Sequence, residues 1–109
     1  MAIKNSAPLL RLLDVLLQDP TKEYFGLELA DAAGIHTGTI YPQLARLEQL
    51  GWLTSAWEEI NEREIGRRRR RYYRMTGEGV SAARDQVARA AADAERRNRR
   101  LRPVIGRAS

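Results

Sequence analysis

The sequence predicts a mainly α chain with one small β-hairpin. Three observations carry this reading. Apolar residues recur at helical spacing from Leu9 to Leu50, the period changes after Gly51, and helical spacing returns from Gly77 to Leu101. A length of 109 residues suits one domain with a single modest core.

The first helix is expected from Ser6 to Gln18. Ser6 is placed to cap it, Pro8 sits in the first turn where a missing N–H costs nothing, and Asp19-Pro20 stops it. Its apolar set, Leu9, Leu10, Leu12, Leu13, Val15, Leu16 and Leu17, is wider than one stripe, so part of it is expected to meet a partner subunit. A second helix, Phe25 to Ala33, has Leu27, Leu29 and Ala30 on its core side, and Gly34 fits the left-handed position after it. A third helix starts between Thr37 and Thr39 and ends at Leu50, with Ile40, Leu44, Leu47 and Leu50 as its buried stripe and Gly51 as its stop. Pro42 favours a start nearer Thr39.

Trp52 to Trp57 then reads as a strand, Glu58 to Gly66 as a polar turn region, and Arg67 to Met75 as the returning strand. If Tyr73 and Met75 face the core, alternation sends Tyr72 and Arg74 the other way; a slip of one residue exchanges the faces. Thr76 is the expected N-cap of a last helix running from Gly77 to Leu101, ended by Pro103.

Composition narrows the chemistry. The chain has no cysteine, which removes disulfides and thiolate metal sites, and its one histidine, His36, is too few for zinc. His36 reads as a capping or surface residue. No nucleophile motif, P-loop or dinucleotide loop is present, so the reading is not an enzyme and needs no cofactor or metal. No apolar run approaches a membrane span and no signal segment opens the chain, so a cytoplasmic, soluble protein is expected. The net charge of +5 is unevenly spread: residues 1–66 hold 5 basic and 10 acidic side chains, residues 67–109 hold 14 and 4. That asymmetry points to a polyanion-facing region on an acidic body.

Helix, helix, turn, helix, hairpin is the chain order of a winged helix-turn-helix, and Ala33-Gly34-Ile35-His36 has the length and glycine of its turn. In such a motif the second helix of the pair enters the major groove by its N-terminal residues, here Thr37, Gly38, Thr39, Tyr41, Pro42 and Gln43, with Arg46 one turn on. Thr37 or Thr39 acting only as a cap is the competing reading. Arg67, Arg68, Arg69 and Arg70 open a run of cations suited to phosphate, Arg67 to Arg69 nearest the hairpin tip. The competing reading pairs them with Glu58, Glu59, Glu62 and Glu64. Trp52, Trp57 and Tyr73 read as packing residues. In the last helix Val80, Ala83, Val87, Ala90, Ala94, Arg97 and Leu101 follow a three-four alternation that suits a helix–helix seam, and so a dimer; an alanine-rich solvated helix is the alternative.

With these stretches in place the chain resembles the PadR family of bacterial transcriptional regulators. The likeness is carried by Leu16-Leu17-Gln18-Asp19-Pro20, Tyr24-Phe25-Gly26-Leu27-Glu28-Leu29-Ala30, Thr37-Gly38-Thr39-Ile40-Tyr41-Pro42-Gln43-Leu44-Ala45-Arg46-Leu47-Glu48, Gly51-Trp52-Leu53, and Arg70-Arg71-Tyr72-Tyr73-Arg74-Met75-Thr76-Gly77-Glu78-Gly79. It implies a homodimeric repressor on a palindromic operator. The third helix and the wing would contact double-stranded DNA, and the last helix would pack with the first (Leu9, Leu12, Leu13) in the dimer. It also implies a phosphate contact for Tyr24. Two departures stand out. Gly66-Arg67-Arg68 replaces the family's glycine-proline-arginine type of turn, and no aromatic follows Tyr73, unlike members that clamp flat ligands at the dimer centre. A small-molecule effector is compatible with the resemblance but is left unidentified.

The expected organisation is therefore residues 1–76 as a winged helix-turn-helix domain, 77–102 as a C-terminal dimerisation helix and 103–109 as a flexible tail. The two rival functions are an RNA-binding module with Tyr72 stacking on a base, and a protein-interaction adaptor using the arginine-rich wing.

Overall fold

The computed structural model describes residues 5–101; the expected tail at 103–109 lies outside them. In chain order the elements are α1 (Ala7–Gln18), β1 (Tyr24–Phe25), α2 (Gly26–Ala33), α3 (Thr37–Gln49), β2 (Leu53–Trp57), α4 (Glu62–Ile65), β3 (Arg71–Met75) and α5 (Gly77–Leu101). The sheet is antiparallel, ordered β1-β3-β2, with β3 in the centre. The architecture is a winged helix-turn-helix with a long C-terminal helix.

Local chemistry sets most boundaries. The Ser6 hydroxyl accepts from the Leu9 amide at 3.2 Å, capping α1. Gly34 takes the left-handed conformation (φ 65°) after α2, and its N–H donates to the carbonyls of Ala30 and Asp31. The Thr76 hydroxyl accepts from the Gly79 amide at 2.8 Å, capping α5. Leu12, Leu13, Leu16, Leu29, Ile40, Leu44 and Leu47 are wholly excluded from solvent, and Trp52 nearly so.

Several expectations are corrected. The helix α3 starts at Thr37, not nearer Thr39; Pro42 is its sixth residue, and the bond it cannot donate would have gone to the carbonyl of Gly38, an exposed residue. Leu27 is not a core residue; it is 59% exposed. The hairpin gains a third strand: Tyr24 and Phe25 pair with Tyr73 and Tyr72, two residues too short to leave a periodic signature. The returning strand begins at Arg71, not Arg67. Asn61 caps the one-turn α4 by accepting from the Arg63 and Glu64 amides, and Gly66 (φ 80°) then reverses the chain, so Arg67 to Arg70 curl about Glu58 instead of extending a ladder. The face assignment of β3 is as alternation requires: Tyr73 and Met75 are buried, Arg74 exposed.

The first turns of α5 belong to the core. Ala83 is fully buried, Gln86 nearly so with its amide donating to Asn5 Oδ1 at 2.7 Å, and Val80 and Val87 pack alongside. Leu9, Leu12 and Leu13 are 1%, 0% and 0% exposed within this one chain, so they build its own core and have no surface to offer a second subunit. Beyond Gln86 no described residue of α5 is buried. No described helix is long and apolar enough to cross a membrane.

Candidate nucleic-acid interface

The helix pair α2–α3 presents a continuous exposed face. Ile40, Leu44 and Leu47 anchor α3 in the core, which leaves Thr37, Gly38, Thr39, Tyr41, Pro42 and Arg46 exposed and Gln43 half-exposed. Thr39, Pro42, Gln43 and Arg46 lie on one side of the helix at three- and four-residue steps. Neither threonine caps α3: the cap position is His36, whose side chain makes no capping bond while its carbonyl accepts from the Thr39 and Ile40 amides at 2.9 Å. The threonine hydroxyls are thus left facing outward.

Tyr41 is held by shape. A Cβ on Gly26 would stand 2.6 Å from the Tyr41 ring, so the aromatic ring lies flush on the α2 N-terminus only because residue 26 has no side chain. Phe25, Gly26 and Tyr41 line a groove of about 610 Å³ together with Trp57, Arg68 to Arg71 and the carboxylates Glu28 and Asp31.

The arginines divide by what they touch. Arg67 forks onto Glu58, Nη1 to Oε1 at 2.7 Å and Nη2 to Oε2 at 3.0 Å. The Arg67 fork, joined by the Arg70 amide, holds the Glu58 carboxyl down to about 2 against the opposing effect of desolvation. Arg69 leans on Glu62 at 3.6 Å. The Arg70 guanidinium lies over the Phe25 ring at 4.8 Å, a cation–π contact that keeps its charge outward. Among the described residues Arg68 has no ion pair and its side chain is exposed. Of the four candidates, Arg68 and Arg70 form no ion pair among the described residues, while Arg67 is spent on wing structure.

Two side chains expected to meet nucleic acid have partners within the chain. Tyr24 is 6% exposed and its hydroxyl donates inward to the Val15 carbonyl at 3.3 Å, so it does not reach a phosphate. Tyr72, the proposed RNA-stacking residue, is stacked on Phe25 with ring centroids 4.1 Å apart. Sequence reasoning also missed Lys22, an exposed ammonium 3.1 Å from Glu28 and 4.7 Å from the Tyr24 ring centroid. It missed the role of Arg71, which bonds Ser55. A lone lysine and one arginine within a run of five give no spacing to detect. No cluster of three His, Cys, Asp or Glu among the described residues is arranged to hold a metal ion.

Comparison with known proteins follows the same lines. The profile of the Transcriptional regulator PadR-like family matches residues 12–85. No curated protein sequence matches the chain. The PcaV transcriptional regulator from Streptomyces coelicolor, solved in complex with its natural ligand, is similar in fold, with TM-score 0.68 and 21% identity over 92% of this chain. This chain spans 65% of the length of that protein. A PadR family transcription regulator from Clostridium difficile R20291 gives TM-score 0.69 and 24% identity, covering 88% of this chain and 99% of that one. A PadR-like transcriptional regulator from Bacillus cereus gives TM-score 0.66 and 19% identity, covering 87% and 91%.

Proposed function

Because the chain belongs to the PadR-like family of transcriptional regulators, we propose that it acts as a homodimeric repressor that occludes a promoter by binding a two-fold symmetric operator. The observation that supports this reading is the exposed N-terminal face of α3, whose Tyr41 lines one groove with Arg68 and Arg70, two cations that form no ion pair among the described residues. Thr37, Thr39, Tyr41 and Gln43 would read base edges in the major groove, and the wing arginines would supply salt-sensitive affinity from phosphates. Gly38 would let the α3 backbone approach a phosphate, and Arg46 is exposed further along α3.

The dimer is supported by α5. A helix whose outer half has no buried residue is marginal alone, and Val87, Ala90, Ala94 and Leu101 give that half an apolar edge. On α1 the surface left for a partner is Leu10 and Leu17, half-exposed and two turns apart. A small-molecule effector is part of the proposal on the strength of the ligand-bound PcaV relative.

The test is selection of genomic DNA fragments by the purified protein, then footprinting and sedimentation. The expected result is a dimer and a symmetric footprint with half-sites about 34 Å apart. With about six phosphates neutralised, log affinity should fall against log salt with a slope near −5. A stable monomer, or a slope near zero, refutes it.

A further inference from the structure

Arg71 sits in the arginine run, yet its surroundings differ from those of Arg68 and Arg70. Glu48 in the last turn of α3, Ser55 in the middle of β2 and Arg71 at the start of β3 meet at one point. The Ser55 hydroxyl accepts from Arg71 Nε at 3.0 Å and Nη2 at 2.7 Å, and lies 2.7 Å from Glu48 Oε2, to which it donates. A hydroxyl has one donor and two acceptor positions, so Ser55 is saturated. Arg71 Nη2 is itself 3.5 Å from Glu48 Oε2, and the guanidinium lies 5.3 Å from the Trp57 ring centroid.

The Nε–Nη2 edge, one of the two with which an arginine can fork an anion, is occupied here. A phosphate brought to the other edge, Nη1–Nη2, would meet the Glu48 carboxylate, 3.5 Å from Nη2. We infer that Arg71, Ser55 and Glu48 form a strut that fixes the angle between α3 and the wing, and that Arg71 is a positioning residue, not a phosphate contact. The inference deepens the DNA-binding reading above and rests on it for its functional consequence. The strut joins the element proposed to read the major groove to the one proposed to hold the backbone. Its loss lets the two elements engage DNA independently, which lowers the affinity for a matched site and spares non-specific binding.

The experiment compares the full chain with Glu48→Gln, Arg71→Lys and Ser55→Ala. Each is titrated with a duplex recovered by the selection and with an unrelated duplex, across a potassium chloride series. Simple electrostatics says that removing the Glu48 charge near DNA strengthens binding. The strut predicts the opposite: the selected duplex binds about tenfold more weakly, the unrelated duplex about as before, with the salt slope unchanged. Arg71→Lys keeps the charge but loses the fork, so it should not restore binding. Full binding by Arg71→Lys with an unchanged slope, or tighter binding by Glu48→Gln, overturns the inference. Amide exchange in the DNA-free protein decides the strut separately. Residues 53–57 and 71–75 should exchange faster in all three variants, and unchanged exchange refutes the strut even if the wild type binds DNA. Wild type that binds no duplex while its variants still show faster wing exchange refutes the DNA reading and leaves the strut supported.

Discussion

Replacing Gly79 by alanine tests the packing between the wing and α5. A Cβ at this position would lie 2.0 Å from the Trp52 carbonyl oxygen and 2.7 Å from its carbonyl and α carbons. These are backbone atoms that cannot swing aside. The Trp52 oxygen accepts from the Thr76 amide at 3.0 Å and the Trp52 amide donates to Leu47 at 2.9 Å, so the peptide is held on both sides. Relief requires α5 to move outward by about 1 Å, opening the contact of Ala83 with the core. Overpacking of this kind costs about 3 kcal/mol, offset by roughly 1 kcal/mol of improved helix propensity, for a net loss near 2 kcal/mol. In a domain of this size that lowers Tm by about 8–16 °C. The control is Gly77→Ala two residues earlier, where a Cβ meets nothing within 4 Å and φ is not positive. That variant should match wild type or gain up to about 1 kcal/mol. Thermal unfolding followed by circular dichroism, at one protein concentration for all three proteins, makes the comparison. Equal Tm values for the two variants would refute the packing argument.

Other outcomes follow from single groups. Arg68→Ala should make the salt slope of DNA binding shallower by about 0.9 with little change in Tm, whereas Arg67→Ala should lower Tm because Glu58 loses its fork; equal Tm losses would contradict the division between them. The Glu58 carboxyl is lowered to about 2 from an ordinary 4.5, so its contribution is present above about pH 4.5 and is lost as pH falls through 2. Glu58→Gln should therefore flatten the acid limb of a Tm–pH profile in that window. Tyr24→Phe should cost about 1 kcal/mol in chemical denaturation and leave the salt slope unchanged, since its hydroxyl bonds Val15. Burial raises the pKa of Tyr24 and Tyr73, so the neutral phenols favour the fold; that contribution is intact below pH 10 and is lost as pH rises through the raised values, which a spectrophotometric alkaline titration detects.

The helices were legible because their signals are local. Ser6, Gly34, Gly51 and Thr76 mark ends by chemistry confined to one turn, and the apolar positions of α3 recur at a spacing that only a helix uses. The wing was less so. Arg67 to Met75 offered nine residues compatible with a strand, but the ladder stops at Arg71 because Glu58, nine residues from Arg67 in the chain, captures the segment. That is a competition between partners distant in sequence, which pattern cannot weigh. Tyr24 misled for a similar reason: its outward or inward direction depends on pairing with Tyr73, which closes the sheet from the far end of the domain. The α3 face was readable from its start, yet nothing in the spacing revealed that Gly26 makes room for the Tyr41 ring.

Thr76 does more than begin a helix. Its hydroxyl gives its proton to the Gly51 carbonyl at 2.6 Å while receiving the Gly79 amide, so a single oxygen ties the residue that ends α3 to the first turn of α5. In the proposed dimer, the crossing of the two long arms and the pitch of each reading head then become one mechanical variable. A ligand that scissored the arms would not need to touch the DNA face to turn both heads out of phase with the duplex.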